Sequence, residues 1–156
     1  MELKEQDKKY LEKAVRLCAA EERCADDIER KLSSWNLSPT AAKQILDFLY
    51  ENNYLNEVRY ATTFAEGKMR QLKWGRTKIA YQLRMKRVDD KAIEEGLLAL
   101  DAEEYRSILK KLAEQKWKSV HESDDFVKRG KVTAYLQSHG FEMYEIQNVL
   151  ENIEKE

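Results

Sequence analysis

Proline is nearly absent from this 156-residue chain, which has one, and glycine is scarce, with five. A protein built from many short strands needs turn residues far more often, so a sandwich or barrel is disfavoured. Helices with broad solvated faces fit better, as does a charged fraction of 37%. Histidine occurs only at His121 and His139, and cysteine only at Cys18 and Cys24. Two cysteines at that spacing match neither a disulfide framework nor a metal-ligand pair, and they read as small buried or capping residues. There is no HExxH, no glycine-rich phosphate loop and no Cys-His cluster. Acid pairs such as Glu21 with Glu22, Asp26 with Asp27 and Asp124 with Asp125 are plentiful, but neighbours in sequence point apart on a helix and read as solvated surface. The chain is therefore expected not to be an enzyme and to use no cofactor or metal. Long apolar runs are missing too: none approaches the roughly 18 residues of a membrane span, and the opening "MELKEQDKKYLEKAV" is too charged for a signal peptide. A cytoplasmic protein without a membrane partner is expected.

What is present becomes visible when the chain is laid against itself. A shift of 51 residues superposes Ile28, Leu32, Leu37, Ala42, Leu46 and Leu49 on Ile79, Leu83, Val88, Ile93, Leu97 and Leu100. A further shift of 53 reaches Val132, Leu136, Phe141, Ile146, Leu150 and Ile153. The shared skeleton is an i, i+4 pair, a step of five, and a second amphipathic stretch, which describes two helices meeting at a tight turn. A third helix precedes each pair, the first running roughly from Gln6 to Glu22. The expected fold is all-α: an elongated array of three tandem three-helix repeats, helix-turn-helix-like, over residues 1–53, 54–100 (the basic central unit) and 101–156.

Turn chemistry supports these boundaries. Asn36, Arg87 and Gly140 stand where a helix commonly ends in a left-handed residue, a conformation that glycine and asparagine tolerate and arginine does not adopt freely. Ser38 with Pro39, and Asp89 with Asp90, supply helix starts, as do Asn56 and Asp101 before the second and third leading helices. Glu142 is a poorer cap.

Lys68, Arg70, Lys73, Arg76, Lys78, Arg84, Lys86 and Arg87 crowd the run Lys68–Val88, which holds no acid. The net charge of −1 includes these eight cations, leaving −9 on the rest of the chain. Segregation of this kind predicts a contact strip for an acidic protein surface or for phosphate. Arg84, Lys86 and Arg87 also complement a helix C-terminus, a purely structural use of charge. Trp74 and Tyr81 lie inside the strip, where aromatic rings either stack on bases or pack between helices.

The run Asn52–Val88, "NNYLNEVRYATTFAEGKMRQLKWGRTKIAYQLRMKRV", resembles the central signature of the RecX family of bacterial recombination regulators. Tyr54, Leu55, Asn56, Glu57, Arg59, Tyr60 and Ala61 match its opening, and Gly75, Arg76, Lys78, Ile79 and Leu83 its later half. Cys24–Leu32 resembles the family's first-repeat helix, with Cys24 where a capping serine is usual. The chain departs from the signature at Asn56 (commonly Asp), Val58 (usually acidic) and Arg87 (usually Gly). The resemblance implies a regulatory protein that binds the RecA recombinase, above all its filament on single-stranded DNA. It further implies binding along the filament groove and inhibition of ATP hydrolysis and strand exchange, in recombination, DNA repair and the SOS response. Weak contact with single- or double-stranded DNA is compatible with that role. No sustained heptad seam is present, so a monomer is expected. The alternative is a direct DNA-binding helix-turn-helix-like protein; a sequence pI near 6.2 and acidic flanking units weigh against it. A passive helical scaffold would bind its partner without regard to the basic strip.

Overall fold

The computed structural model describes residues 3–155. Among them are nine α-helices and one 3-10 turn, Glu5–Asp7, with no strand. The helices are α1 Lys8–Ala20, α2 Ala25–Ser34, α3 Pro39–Glu51, α4 Glu57–Leu72, α5 Arg76–Met85, α6 Asp90–Leu98, α7 Ala102–Ser119, α8 Asp125–Ser138 and α9 Met143–Glu154. The chain is thus an all-α succession of helical repeats. It divides into two compact units, one comprising residues up to Thr63 with Leu83–Gly96, the other Phe64–Gln82 with everything from Leu97 onward. The division falls inside α4, α5 and α6, so the central repeat contributes to both units.

In the first unit α3 packs against both α1 and α2. Ala14, Ile28, Leu32, Ile45, Leu49 and Leu55 form its centre, flanked by half-buried Tyr10, Leu11, Trp35, Leu37 and Leu46. α6 adds Ala92, Ile93 and Gly96, the last lying so close to α4 that a Cβ there would stand 2.8 Å from the Ala61 Cβ. In the second unit α7, α8 and α9 each pack on the other two. Tyr105, Leu109, Val132, Leu136, Ile146 and Leu150 are buried there, and the Tyr105 and Phe141 rings meet at 5.4 Å with a 59° tilt.

The step of five in the repeated skeleton has a specific cause. At each helix-pair turn the amide three residues past the helix end reaches back to a carbonyl five residues earlier: Leu37 to Leu32, Val88 to Leu83, and Phe141 to Leu136. The residue before it bonds to the next carbonyl (Asn36 to Ser33, Arg87 to Arg84, Gly140 to Gln137) and is left-handed, with φ of 59°, 61° and 91°. This closure leaves an apolar residue facing the last turn of its own helix, which fixes both ends of the five-residue step. Arg87 is therefore the left-handed non-glycine residue that its departure from the family signature predicts. Arg87→Gly is expected to stabilise the chain by up to about 1 kcal/mol in a urea titration, since its ion pairs to Asp26 (3.7 Å) and Glu29 (3.9 Å) are long and the Arg87 side chain is exposed. A loss of stability would show that those pairs outweigh the backbone strain.

The capping residues behave as their chemistry requires. Ser38 Oγ accepts from the Ala41 amide at 3.1 Å, Asn56 Oδ1 from Arg59 at 2.9 Å and Asp101 Oδ1 from Glu104 at 2.9 Å. Glu142 makes no side-chain cap. One part of the repeat register differs from expectation. In α3 the fully buried face is Ala41, Ile45 and Leu49, with Ala42 and Leu46 on the flank, and in α6 Gly96 is buried while Leu97 is half-buried. Positions one apart differ by 100° around a helix, so a rotation of that size moves the face by one residue without altering the 3.6-residue period.

Gly67 and Gly130 lie inside α4 and α8, and a Cβ added at either would meet nothing within 4 Å. Neither has a positive φ. Gly67→Ala and Gly130→Ala should each stabilise by up to about 1 kcal/mol, measured by thermal unfolding.

Candidate functional site

The basic strip begins on α4, whose buried face is Ala61, Ala65 and Met69. That face leaves Arg70 exposed and Lys68 half-buried beside it. The helix ends because Lys73 turns left-handed (φ 58°), and the Trp74 amide folds back on the Lys68 carbonyl at 3.3 Å. α5 then begins immediately after Gly75.

Gly75 is required by what it touches. Its amide donates to the His139 carbonyl at 2.7 Å, and the Thr77 amide donates to the Gly140 carbonyl at 3.0 Å. A Cβ on Gly75 would stand 2.5 Å from both the Gly140 carbonyl carbon and the Phe141 Cα. One on Gly140 would stand 2.6 Å from the Lys78 amide nitrogen. His139 Nδ1 also lies 3.1 Å from the Lys73 carbonyl oxygen. The α4–α5 turn is thus fastened backbone to backbone onto the α8–α9 turn.

Side chains complete the junction. The Tyr105 ring is fully buried and its hydroxyl donates to Glu142 Oε1 while accepting from the Arg76 amide at 3.0 Å. The Arg76 guanidinium lies 3.9 Å from the Tyr105 ring centroid and donates to Glu142 Oε2 at 3.0 Å. Burial by itself would raise the Glu142 carboxyl. The Tyr105 hydroxyl, the backbone and Arg76 more than offset it and hold the group below its ordinary range. Burial, then the adjoining carboxylate, pushes the Tyr105 hydroxyl up, so it stays a donor. The weak capping at Glu142 now has a reason: its carboxylate serves Arg76 and Tyr105.

The eight predicted contact residues separate by what they meet. Five have a carboxylate partner within the chain. Arg70 grips Glu104 with two bonds of 2.9 and 3.0 Å, and Arg76 holds Glu142. In the first unit Arg84 reaches Asp90 at 3.4 Å, Lys86 reaches Asp27 at 3.1 Å, and Arg87 faces Asp26 and Glu29. The other three, Lys68, Lys73 and Lys78, have no carboxylate within 4.0 Å among the described residues. They gather around Trp74: the Lys68 and Lys78 ammonium groups lie 5.4 and 4.9 Å from its ring centroid, and Lys73 donates to the Arg70 carbonyl at 2.6 Å.

Residue spacing alone could not find Tyr105 and Glu142, because their partner Arg76 is remote in sequence, 66 positions from Glu142. The available signal was an acid at a capping position that caps poorly. The arrangement offers positive charge on helix side chains rather than a nucleophile with a base beside it.

Comparisons with known proteins bear on the same region. The family model described as the RecX second three-helix domain matches residues 56–97, and that for the RecX third three-helix domain matches residues 103–150. A regulatory protein RecX of Clostridium tetani is 28% identical over 125 residues, covering 79% of this chain and 57% of its own length. One from Chlorobium phaeobacteroides is 28% identical over 149 residues, covering 94% of this chain and 95% of its own. The chain therefore spans little more than half of the clostridial relative and nearly all of the Chlorobium one. The crystal structure of RecX from Lactobacillus salivarius superposes with a TM-score of 0.87 at 20% identity, covering 96% of this chain and 97% of that one, a likeness of fold.

Proposed function

From a chain that belongs to the RecX family, whose matched relatives are named regulatory proteins, we propose a regulator of the RecA recombinase filament on single-stranded DNA that lowers its ATP hydrolysis and strand exchange. The repeats at 1–53, 54–100 and 101–156 act in this reading as successive contact units, with the central one leading. The observation that carries it is the sorting of charge: after internal pairing, the strip keeps Lys68, Lys73 and Lys78 uncompensated around one exposed turn. Arg84, Lys86 and Arg87 supply a second basic group, whose present partners Asp90, Asp27, Asp26 and Glu29 an incoming anion would displace. Arg70 and Arg76 are poor choices for charge reversal, because a glutamate at either would meet Glu104 or Glu142 directly and damage the junction.

RecA-catalysed ATP hydrolysis on single-stranded DNA tests the proposal. Titrating the chain in should lower the rate to a plateau, at concentrations where the chain's own helical circular dichroism is intact. A rate unchanged at saturation removes this reading.

A further inference from the structure

Tyr81 is the aromatic residue of the strip that the fold leaves unoccupied. It is 58% exposed on α5, and among the described residues its hydroxyl has no hydrogen bond and its ring no aromatic or cationic neighbour. Trp74, the more obvious stacking residue, is committed: two ammonium groups lie over its ring. The same use of tryptophan recurs at Trp35 with Lys13 (5.6 Å) and Trp117 with Lys128 (4.6 Å), which marks the indoles as packing surfaces that order lysine stems.

Lys78 stands three residues before Tyr81 and Thr77 four, so both flank the Tyr81 ring on one side of α5. Around the start of α5 the Gly75, Arg76 and Thr77 amides are already taken, and the Lys78 amide lies against Gly140. Gly75 and Thr77 donate to carbonyls, and Arg76 to the Tyr105 hydroxyl. An anion at this turn must therefore be met by the lysines. Their compact ammonium groups can meet phosphate as point charges, and Arg70 and Arg76, whose planar forks would suit phosphate too, are already holding carboxylates.

We infer that Lys68, Lys73 and Lys78 contact consecutive phosphates of a single-stranded nucleic acid while Tyr81 stacks on one of its bases. A duplex keeps its bases stacked on one another and offers Tyr81 none, so the strand must be single. The inference deepens the filament reading and rests on it for the source of the strand, since a RecA filament presents one.

Fluorescence anisotropy with labelled oligo-dT across a salt series is the test. Lys68→Gln, Lys73→Gln and Lys78→Gln combined should reduce the magnitude of the log-log salt slope by about 2, at roughly 0.7 per single-strand phosphate contact. Tyr81→Ala should weaken binding about tenfold with the slope unchanged, and Tyr81→Phe should bind like the parent. Full affinity in the triple variant, equal losses in Tyr81→Ala and Tyr81→Phe, or an unaltered slope would overturn it, as would no binding of oligo-dT by the parent chain. RecA hydrolysis separates the two ideas. A parent chain that lowers hydrolysis but fails these oligo-dT tests loses this inference alone, and one that passes them without touching hydrolysis loses the filament reading.

Discussion

Gly140→Ala is expected to cost at least about 3 kcal/mol of stability in urea unfolding. Three effects act together. The native φ of 91° disfavours any Cβ, by roughly 1 kcal/mol. The new methyl would press on the Lys78 backbone at 2.6 Å, a contact with main chain that no rotamer change relieves, and overpacking of that kind costs about 1–3 kcal/mol. Relief by separation would stretch the Gly75–His139 and Thr77–Gly140 hydrogen bonds, each worth about 1 kcal/mol net. Gly75→Ala meets the same wall from the other side without the φ penalty, so it should cost about 1 kcal/mol less. A loss below about 1 kcal/mol for Gly140→Ala would mean that the two turns are not in backbone contact.

Glu142→Ala should cost about 2–3 kcal/mol, because it leaves the buried Tyr105 hydroxyl without its acceptor and Arg76 without its counter-charge. The figure is below that of a fully buried pair since the Arg76 side chain keeps 25% exposure. Glu142→Gln retains an acceptor for Tyr105 and should lose about half as much. The pH dependence follows from the direction of the shift. The folded carboxyl is held below its ordinary value, so its contribution is complete above the unfolded value of about 4.3 and is lost as pH falls through the lower folded value. Parent protein should therefore lose more stability than Glu142→Gln on acidification from about pH 5 to pH 3. Parallel curves for the two would show that the carboxylate is not held in the charged form by this network.

Much of this fold is legible from local chemistry. The helix-pair turns announce themselves through Asn36, Arg87 and Gly140, because a left-handed closure demands both an unusual backbone and an apolar residue five positions after the last buried one. The buried face of α3 is less legible, since Ala41 with Ile45 and Ala42 with Leu46 satisfy the same period and only packing against α1 and α2 chooses between them. The candidate site was legible as a set of cations and illegible as a set of pairs. Composition places Arg70 and Lys73 alike in the strip, but Glu104 is gripped directly by one and not the other, from a position remote in sequence. For the same reason the sequence offers Trp74 and Tyr81 alike, and only the fold covers the one and leaves the other open.

The meeting of the α4–α5 and α8–α9 turns also sets an order of events. The Schellman-type closures join residues five apart, whereas Arg76 and Glu142 are separated by 66 positions, so their contact closes a large loop and must be among the later ones to form. Its backbone portion consists of two hydrogen bonds between helix ends, with no helix needing to unwind for them to part. The Gly75 and Thr77 amides should then exchange with solvent through small openings, at lower free energy than the amides inside α8 that wait for global unfolding.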